Sequence, residues 1–325
     1  MFRKHTRRAA KAAFAISFGV ALLIGLAACG GSGGGGSTGG TKSVTLSYAG
    51  YPECQTRITC ILGMKQIYGI KNIKFIPIGN ISVYTLLDQH KALGGDGFST
   101  DPEQLQKNKY TALVDNKHIF GFQNVAPVLK ASLLSGADGA LLASTANAVS
   151  SKLTLAAMQA MNKAYVVNKA QPQEIAHGFL AANKLLTGGK KASGSAPKIV
   201  LGTKNFGEEY ILGQLYGQAL QAKGFNVEFK GSFGSSELAD KAITSGKMNF
   251  YPEYTGVVAL DLAKASPAPK SAAATYSAAK KFEQGRGLTM LNPTPFADTD
   301  TFTVLTSTAT KYGLKTMSDL TTLGK

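Results

Sequence analysis

Three cysteines carry the most direct chemical information in this 325-residue chain. Cys29 closes the run Leu26-Ala27-Ala28-Cys29, small residues ahead of a thiol. That is the form of a bacterial lipoprotein signal: residues 1–28 are cleaved away and lipid is joined to the Cys29 sulfur. The competing reading is an ordinary secretory signal with an incidental cysteine. Cys54 and Cys60 fall in YPECQTRITC, on either side of Arg57. Outside the reducing cytoplasm such a pair closes a local disulfide that pins the Arg57 loop, or else remains as two thiols. No metal site is expected, because the four histidines are dispersed and no other cysteine is available. Catalysis has little support. The chain has no Gly-x-Ser-x-Gly turn joining a strand to a helix, no His-Glu-x-x-His and no phosphate loop of the Gly-x4-Gly-Lys type. His5 lies in the signal, and His90, His118 and His177 have no evident partner. No cofactor is expected, and a binding module is favoured over an enzyme.

Arg3, Lys4, Arg7, Arg8 and Lys11 form a basic leader ahead of a short apolar stretch, 12–26. That stretch is of signal length rather than spanning length. A Gly/Ser tether follows, so 29–43 is expected to be lipidated Cys29 plus a slack leash. The formal charge is +16; those five basic residues precede Cys29 with no acid among them, which leaves +11. A positive surface suits an anionic membrane face. Nucleic acid is not an expected partner, since no basic cluster is interleaved with aromatics and the chain is exported. From Ser43 onward roughly 280 residues remain, enough for two lobes with real cores.

The elements that must position any site alternate between strand and helix. SVTLSYAG and KNIKFIPIG read as strands, with ILGMKQIYGI a helix between them. SVYTLLDQHKAL reads as a helix, GGDGFSTD as a loop and TALVD as a strand. KLTLAAMQAMNKAYVV and QPQEIAHGFLAANKLL carry apolar residues at helical spacing. Residues 187–197, TGGKKASGSAP, are a linker by composition. Beyond it come a strand at 198–201, a helix over about 207–223, the strand NVEFKG, the helix SSELADKAITSG and the strand MNFYPEY. Such alternation predicts an α/β fold with mostly parallel sheets covered by helices.

The stretches GTKNFGEEYILGQLYGQALQAKGFNV, GSSELADKAITSGKMNFYPEYTG, GLTMLNPTPFADTD and KYGLKTMSDL resemble the substrate-binding proteins of osmoprotectant ABC importers, which take up glycine betaine, choline, carnitine and related quaternary amines. In that family these stretches come first. LSYAGYPECQTRITCILGMKQIYGI, GFSTDPEQL, DNKHIFGFQNVAPV and the run from Ala148 to Leu186 resemble the family's later part. The resemblance covers nearly all of the chain beyond the tether, in swapped order. It implies a two-lobed periplasmic-binding-protein fold of the type II, Venus-flytrap kind, circularly permuted, with 187–197 joining the ancestral termini. A fragment of a longer tandem chain is the competing account. Carried over, one lobe spans 122–297 and the other combines 44–121 with 298–325, with ligand in the cleft between them. The partners implied are a small quaternary amine, ABC permease and ATPase subunits, and the membrane through the N-terminal lipid. The implied location is the extracytoplasmic face of the cell membrane. A ligand sensor that passes its closed state to a receptor, or a receptor for another small cation, is the alternative.

A quaternary ammonium has no N–H to donate, so aromatic faces hold it. The resemblance places Tyr254 of YPEYTG in the family's aromatic cage, with Phe98 and Phe122 as further walls and Asp300 where the family often has a tyrosine. Arg57 and Lys204 are implied as partners for a ligand carboxylate, and Asp298 as a hinge-side acid. Val257 stands where the family often has threonine, which removes one hydroxyl and leaves choline open as a ligand. Glu208, Glu209 and Glu253 read as structural acids.

Overall fold

The computed structural model describes residues 44–79 and 81–323. The expected signal 1–28, Cys29 and the tether lie outside the described residues. Four strands come first: β1 (Leu46–Gly50), β2 (Ile73–Pro77), β3 (Gly94–Phe98) and β4 (Tyr110–Leu113). Six follow: β5 (Val125–Lys130), β6 (Ile199–Thr203), β7 (Val227–Ser232), β8 (Phe250–Tyr254), β9 (Leu288–Met290) and β10 (Asp300–Leu305). The early helices are α1 (Ile61–Gln66), α2 (Val83–Asp88), α3 (Gly139–Lys152), α4 (Leu155–Val166) and α5 (Pro172–Ala182). The later ones are α6 (Gly207–Ala222), α7 (Ser236–Thr244), α8 (Ala272–Gln284) and α9 (Thr306–Tyr312).

The strands form two five-stranded mixed sheets, in the orders β2-β1-β3-β10-β4 and β7-β6-β8-β5-β9. Each is the centre of an α/β lobe, so the two-lobed α/β architecture expected from the sequence is the one observed. In lobe one the strand from far along the chain, β10, lies antiparallel between β3 and β4. In lobe two the earlier strand β5 lies antiparallel between β8 and β9. Each half of the chain therefore completes the other half's sheet. Helix starts follow local chemistry: the hydroxyls of Ser82, Thr154 and Ser271 accept from the backbone N–H groups of Tyr84, Ala157 and Ala274, satisfying donors a helix leaves free.

The glycine-rich stretch read as a loop is β3, paired with β1 on one side and β10 on the other. A Cβ at Gly94 would lie 2.1 Å from a ring carbon of Phe302. The fully buried Phe302 ring takes the space a side chain would need, so the strand is built from residues that ordinarily disfavour strands.

The chain crosses between lobes twice, and the crossings run side by side. Asn124 bridges Ala297 in antiparallel fashion, Asp298 N donates to Gln123 O at 3.0 Å, and the Asn124 amide donates to the carbonyls of Thr294 and Phe296. The 187–197 segment is largely exposed. It is tacked down against the end of α6, where Ala192 N donates to Lys223 O at 2.7 Å, Lys223 Nζ donates to the carbonyls of Thr187 and Gly188 and Lys191 Nζ donates to Ala222 O, and against Asp138, to which Ser193 N donates at 3.1 Å. Among the described residues no helix is long and apolar enough to cross a membrane.

Candidate functional site

A cleft of about 710 Å³, measured to its mouth, opens between the lobes. Small-molecule sites run to roughly 300–1,000 Å³. Six of the seven side chains singled out for ligand from the sequence line it: Arg57, Phe98, Lys204, Tyr254, Asp298 and Asp300. Phe122 does not. It is half-buried in the first crossing, where its carbonyl accepts from the Thr255 hydroxyl at 3.0 Å. In extended chain successive residues face opposite ways, and it is the next residue, Gln123, that reaches the cleft wall. The Gln123 amide is spent on Phe120 O and Val257 N.

Two aromatic residues join the wall without having been singled out. Tyr51, just after β1, stands 6.3 Å from Phe98, centroid to centroid. Phe206, in the turn between β6 and α6, is stacked 6.2 Å from Tyr254. The cleft thus has four rings, two from each lobe. Their common signal was position: each follows or ends a strand at the cleft edge.

Neither cation is free. Lys204 is buried, forms a close ion pair with Glu253 and lies 3.6 Å from Glu209. Its ammonium also sits 4.1 Å from the centre of the Tyr254 ring. Burial pushes Glu209 up to about 8 although Lys204 opposes the shift. Arg57 reaches across the cleft mouth to the first turn of α7. Its guanidinium donates to Glu237 at 3.0 and 3.2 Å. It lies 4.0 Å from Asp261, which sits in a π-helical turn, Val257–Leu262, of lobe two. The Thr59 hydroxyl donates to the same Asp261 at 3.0 Å, and Ile58 packs against the core of lobe two. This loop is a latch between the lobes. Arg57 and Lys204 thus both line the cleft and both are engaged in ion pairs within the protein.

The acids are less well matched. Asp96 accepts from Tyr48 OH at 3.0 Å. Asp298 accepts from the Thr100 hydroxyl at 2.6 Å. No other described residue donates to the Asp300 carboxylate. Burial pushes Asp96 up to about 7, with Tyr48 and Arg57 opposing. Burial and then the Asp96 charge raise Asp300, while burial and then Glu208 raise Asp298. Glu208, read as structural, holds the wall: it accepts from Tyr254 OH at 2.9 Å and from Asn162 at 2.7 Å.

Cys54 and Cys60 are joined by a disulfide, Cα–Cα 5.3 Å, and Cys54 lines the cleft. The bridge closes the loop that carries Arg57, Ile58 and Thr59. Mass spectrometry of the alkylated, non-reduced protein should leave both thiols unmodified. Reduction should lower ligand affinity severalfold, because a slack loop must be ordered again on closure at roughly 1–2 kcal/mol per residue fixed. Two alkylated thiols, or affinity indifferent to reductant, would break this link.

The family model for the substrate binding domain of the ABC-type glycine betaine transport system matches residues 46–182 and 197–325. The glycine-betaine-binding protein of Pseudomonas aeruginosa is 33% identical over 125 residues, 38% of this chain and 40% of that protein. The glycine betaine-binding protein YehZ of Escherichia coli is 32% identical over 128 residues, 39% of this chain and 42% of that protein. The chain thus spans about two fifths of the length of these relatives. Among solved structures, substrate binding domain 2 of Lactococcus lactis GlnP matches with a TM-score of 0.38 at 12% identity, over 87% of each chain.

Proposed function

The chain belongs to the family of substrate-binding domains of ABC-type glycine betaine transport systems, and from that membership we propose that it captures a quaternary amine (glycine betaine, choline, carnitine or a similar osmoprotectant) in its interlobe cleft and delivers it to an ABC permease and ATPase. The carrying observation is the set of four rings, Tyr51, Phe98, Phe206 and Tyr254, contributed equally by the two lobes. Rings from both sides attract an alkylated ammonium best when the lobes close and water leaves. The aspartates on the cleft wall supply the counter-charge. Lipidation at Cys29 would hold the receptor beside its permease. We also propose that the halves are circularly permuted about 187–197. The unmatched stretch between the two family segments and the sharing of each sheet between both halves support this.

Calorimetry of the purified protein with glycine betaine, choline, carnitine and proline betaine tests the assignment, and silence to all four refutes it. The same titrations carry a pH prediction. A cation favours the ionised acids, so binding expels protons from carboxyls whose pKa burial has raised. Burial pushes Asp96 up to about 7, and it faces Tyr48, Arg57, Glu53, Asp101 and Asp300. Affinity should therefore rise from pH 5.5 to 8, by up to about tenfold per pH unit for each proton released, and level off above. Asp96→Asn should flatten the profile. A pH-independent affinity would show that these acids do not meet the ligand's charge.

A further inference from the structure

Glu237 engages Arg57, whose guanidinium belongs to the cleft wall. Its carboxylate accepts three hydrogen bonds from Arg57 and one from the Ser235 hydroxyl at 2.7 Å. It lies in the first turn of the nine-residue helix α7, where a negative charge is favoured. Partial burial works against its ionisation, yet Arg57 and Ser235 hold it below the usual glutamate range. The Arg57–Glu237 pair spans the two lobes, so a side chain of the protein supplies the anion that would otherwise draw the guanidinium across. Lys204, the other cation on the wall, is held by Glu253 and Glu209. The remaining charged groups facing the cleft, Glu53 included, are acceptors: Asp96 and Asp298 each keep one oxygen to which no other described residue donates, and Asp300 keeps both. Val257 adds no hydroxyl.

Resting on the assignment of this cleft to a quaternary amine, we infer that Glu237 is a built-in carboxylate that sets specificity, and that the ligand is a net cation without a carboxylate whose far end donates a hydrogen bond. A betaine's carboxylate would enter a wall of aspartates with both cations already neutralised. A hydroxyl or amine at that end meets a free aspartate oxygen instead.

Choline and glycine betaine share the trimethylammonium head and differ at the far end, so they are the probes. The wild type should bind choline at least about tenfold tighter than glycine betaine, the size expected when one charge-assisted hydrogen bond is made or lost. Glu237→Ala releases Arg57 and should raise glycine betaine affinity by about tenfold while choline gains nothing. Glu237→Gln, which keeps the shape and removes the charge, should move in the same direction by less. The Glu237 side chain is 46% exposed, so the folded state tolerates both changes. Glycine betaine binding the wild type as tightly as choline, or an unchanged ratio in Glu237→Ala, overturns the inference and leaves the quaternary-amine assignment standing. Failure of both probes to bind the wild type overturns the two together.

Discussion

Lys204→Met should destabilise the protein by about 3–5 kcal/mol at neutral pH, the range seen when one partner of a buried ion pair is removed. Lys204 faces Glu253 and Glu209, both with no exposed surface. One oxygen of each acid has no hydrogen-bond partner, so the ammonium is what compensates their charge. The sign of the pH dependence follows from Glu209, whose value rises from 4.5 to about 8 on folding. An acid with a raised folded-state value loses stability as pH climbs between the unfolded and folded values. Here that window runs from about 4.5 to 8, and loss of Lys204 pushes its upper edge higher. Urea denaturation should find the variant much closer to wild type at pH 5 than at pH 8. A penalty equal at both would mean that packing of the lysine stem, not charge, is what was lost.

Tyr254→Ala should weaken binding of choline by roughly 30-fold, the equivalent of about 2 kcal/mol for a cation–π contact made away from water. The ring is 5% exposed and packs beside Phe206, so its removal opens the cage from lobe two. Tyr254→Phe separates ring from hydroxyl. Affinity should stay within about threefold, because the π face remains. Stability should nonetheless fall by about 1–3 kcal/mol, since the buried Glu208 carboxylate loses the donor at 2.9 Å. Calorimetry and denaturation on the two variants distinguish the roles. If alanine and phenylalanine weaken binding equally, the hydroxyl rather than the ring carries the ligand contact.

Regular amphipathic patterns translated well from sequence to structure. The helix expected over 207–223 is α6, 207–222, and SSELADKAITSG contains α7. β3 did not, because Gly94 leaves room for the ring of Phe302, a residue some two hundred positions away that no local pattern reveals, and Gly95 and Gly97 leave room for Val83 and Thr303. Motif resemblance brought six of the seven ligand candidates to one cleft, because strand ends fix where those side chains emerge. It failed at Phe122 by one residue of an extended segment, enough to reverse the side chain's direction. It did not foresee the ion pairs of Arg57 and Lys204 because ion pairing is a tertiary property: Glu237, Asp261, Glu209 and Glu253 meet them only once the lobes are folded, and of these only Glu209 and Glu253 were read at all, as structural acids. Tyr51 and Phe206 went unremarked because a lone aromatic reads as core until the opposite wall is known.

The placement of β10 also governs the order in which the molecule can assemble. Its residues bond to the β3 side of lobe one across sequence separations such as the 197 residues between Gln104 and Thr301. Lobe two draws its strands from 125–290 without interruption. Closing a long loop before any contact rewards it is the slow part of folding. Lobe two should therefore nucleate first, while β3 and β4 wait with unpaired edges of the kind that recruit foreign strands. The earlier strands of lobe one are thus the last to be finished, and their exposure to wrong pairing is greatest in the interval before β10 arrives.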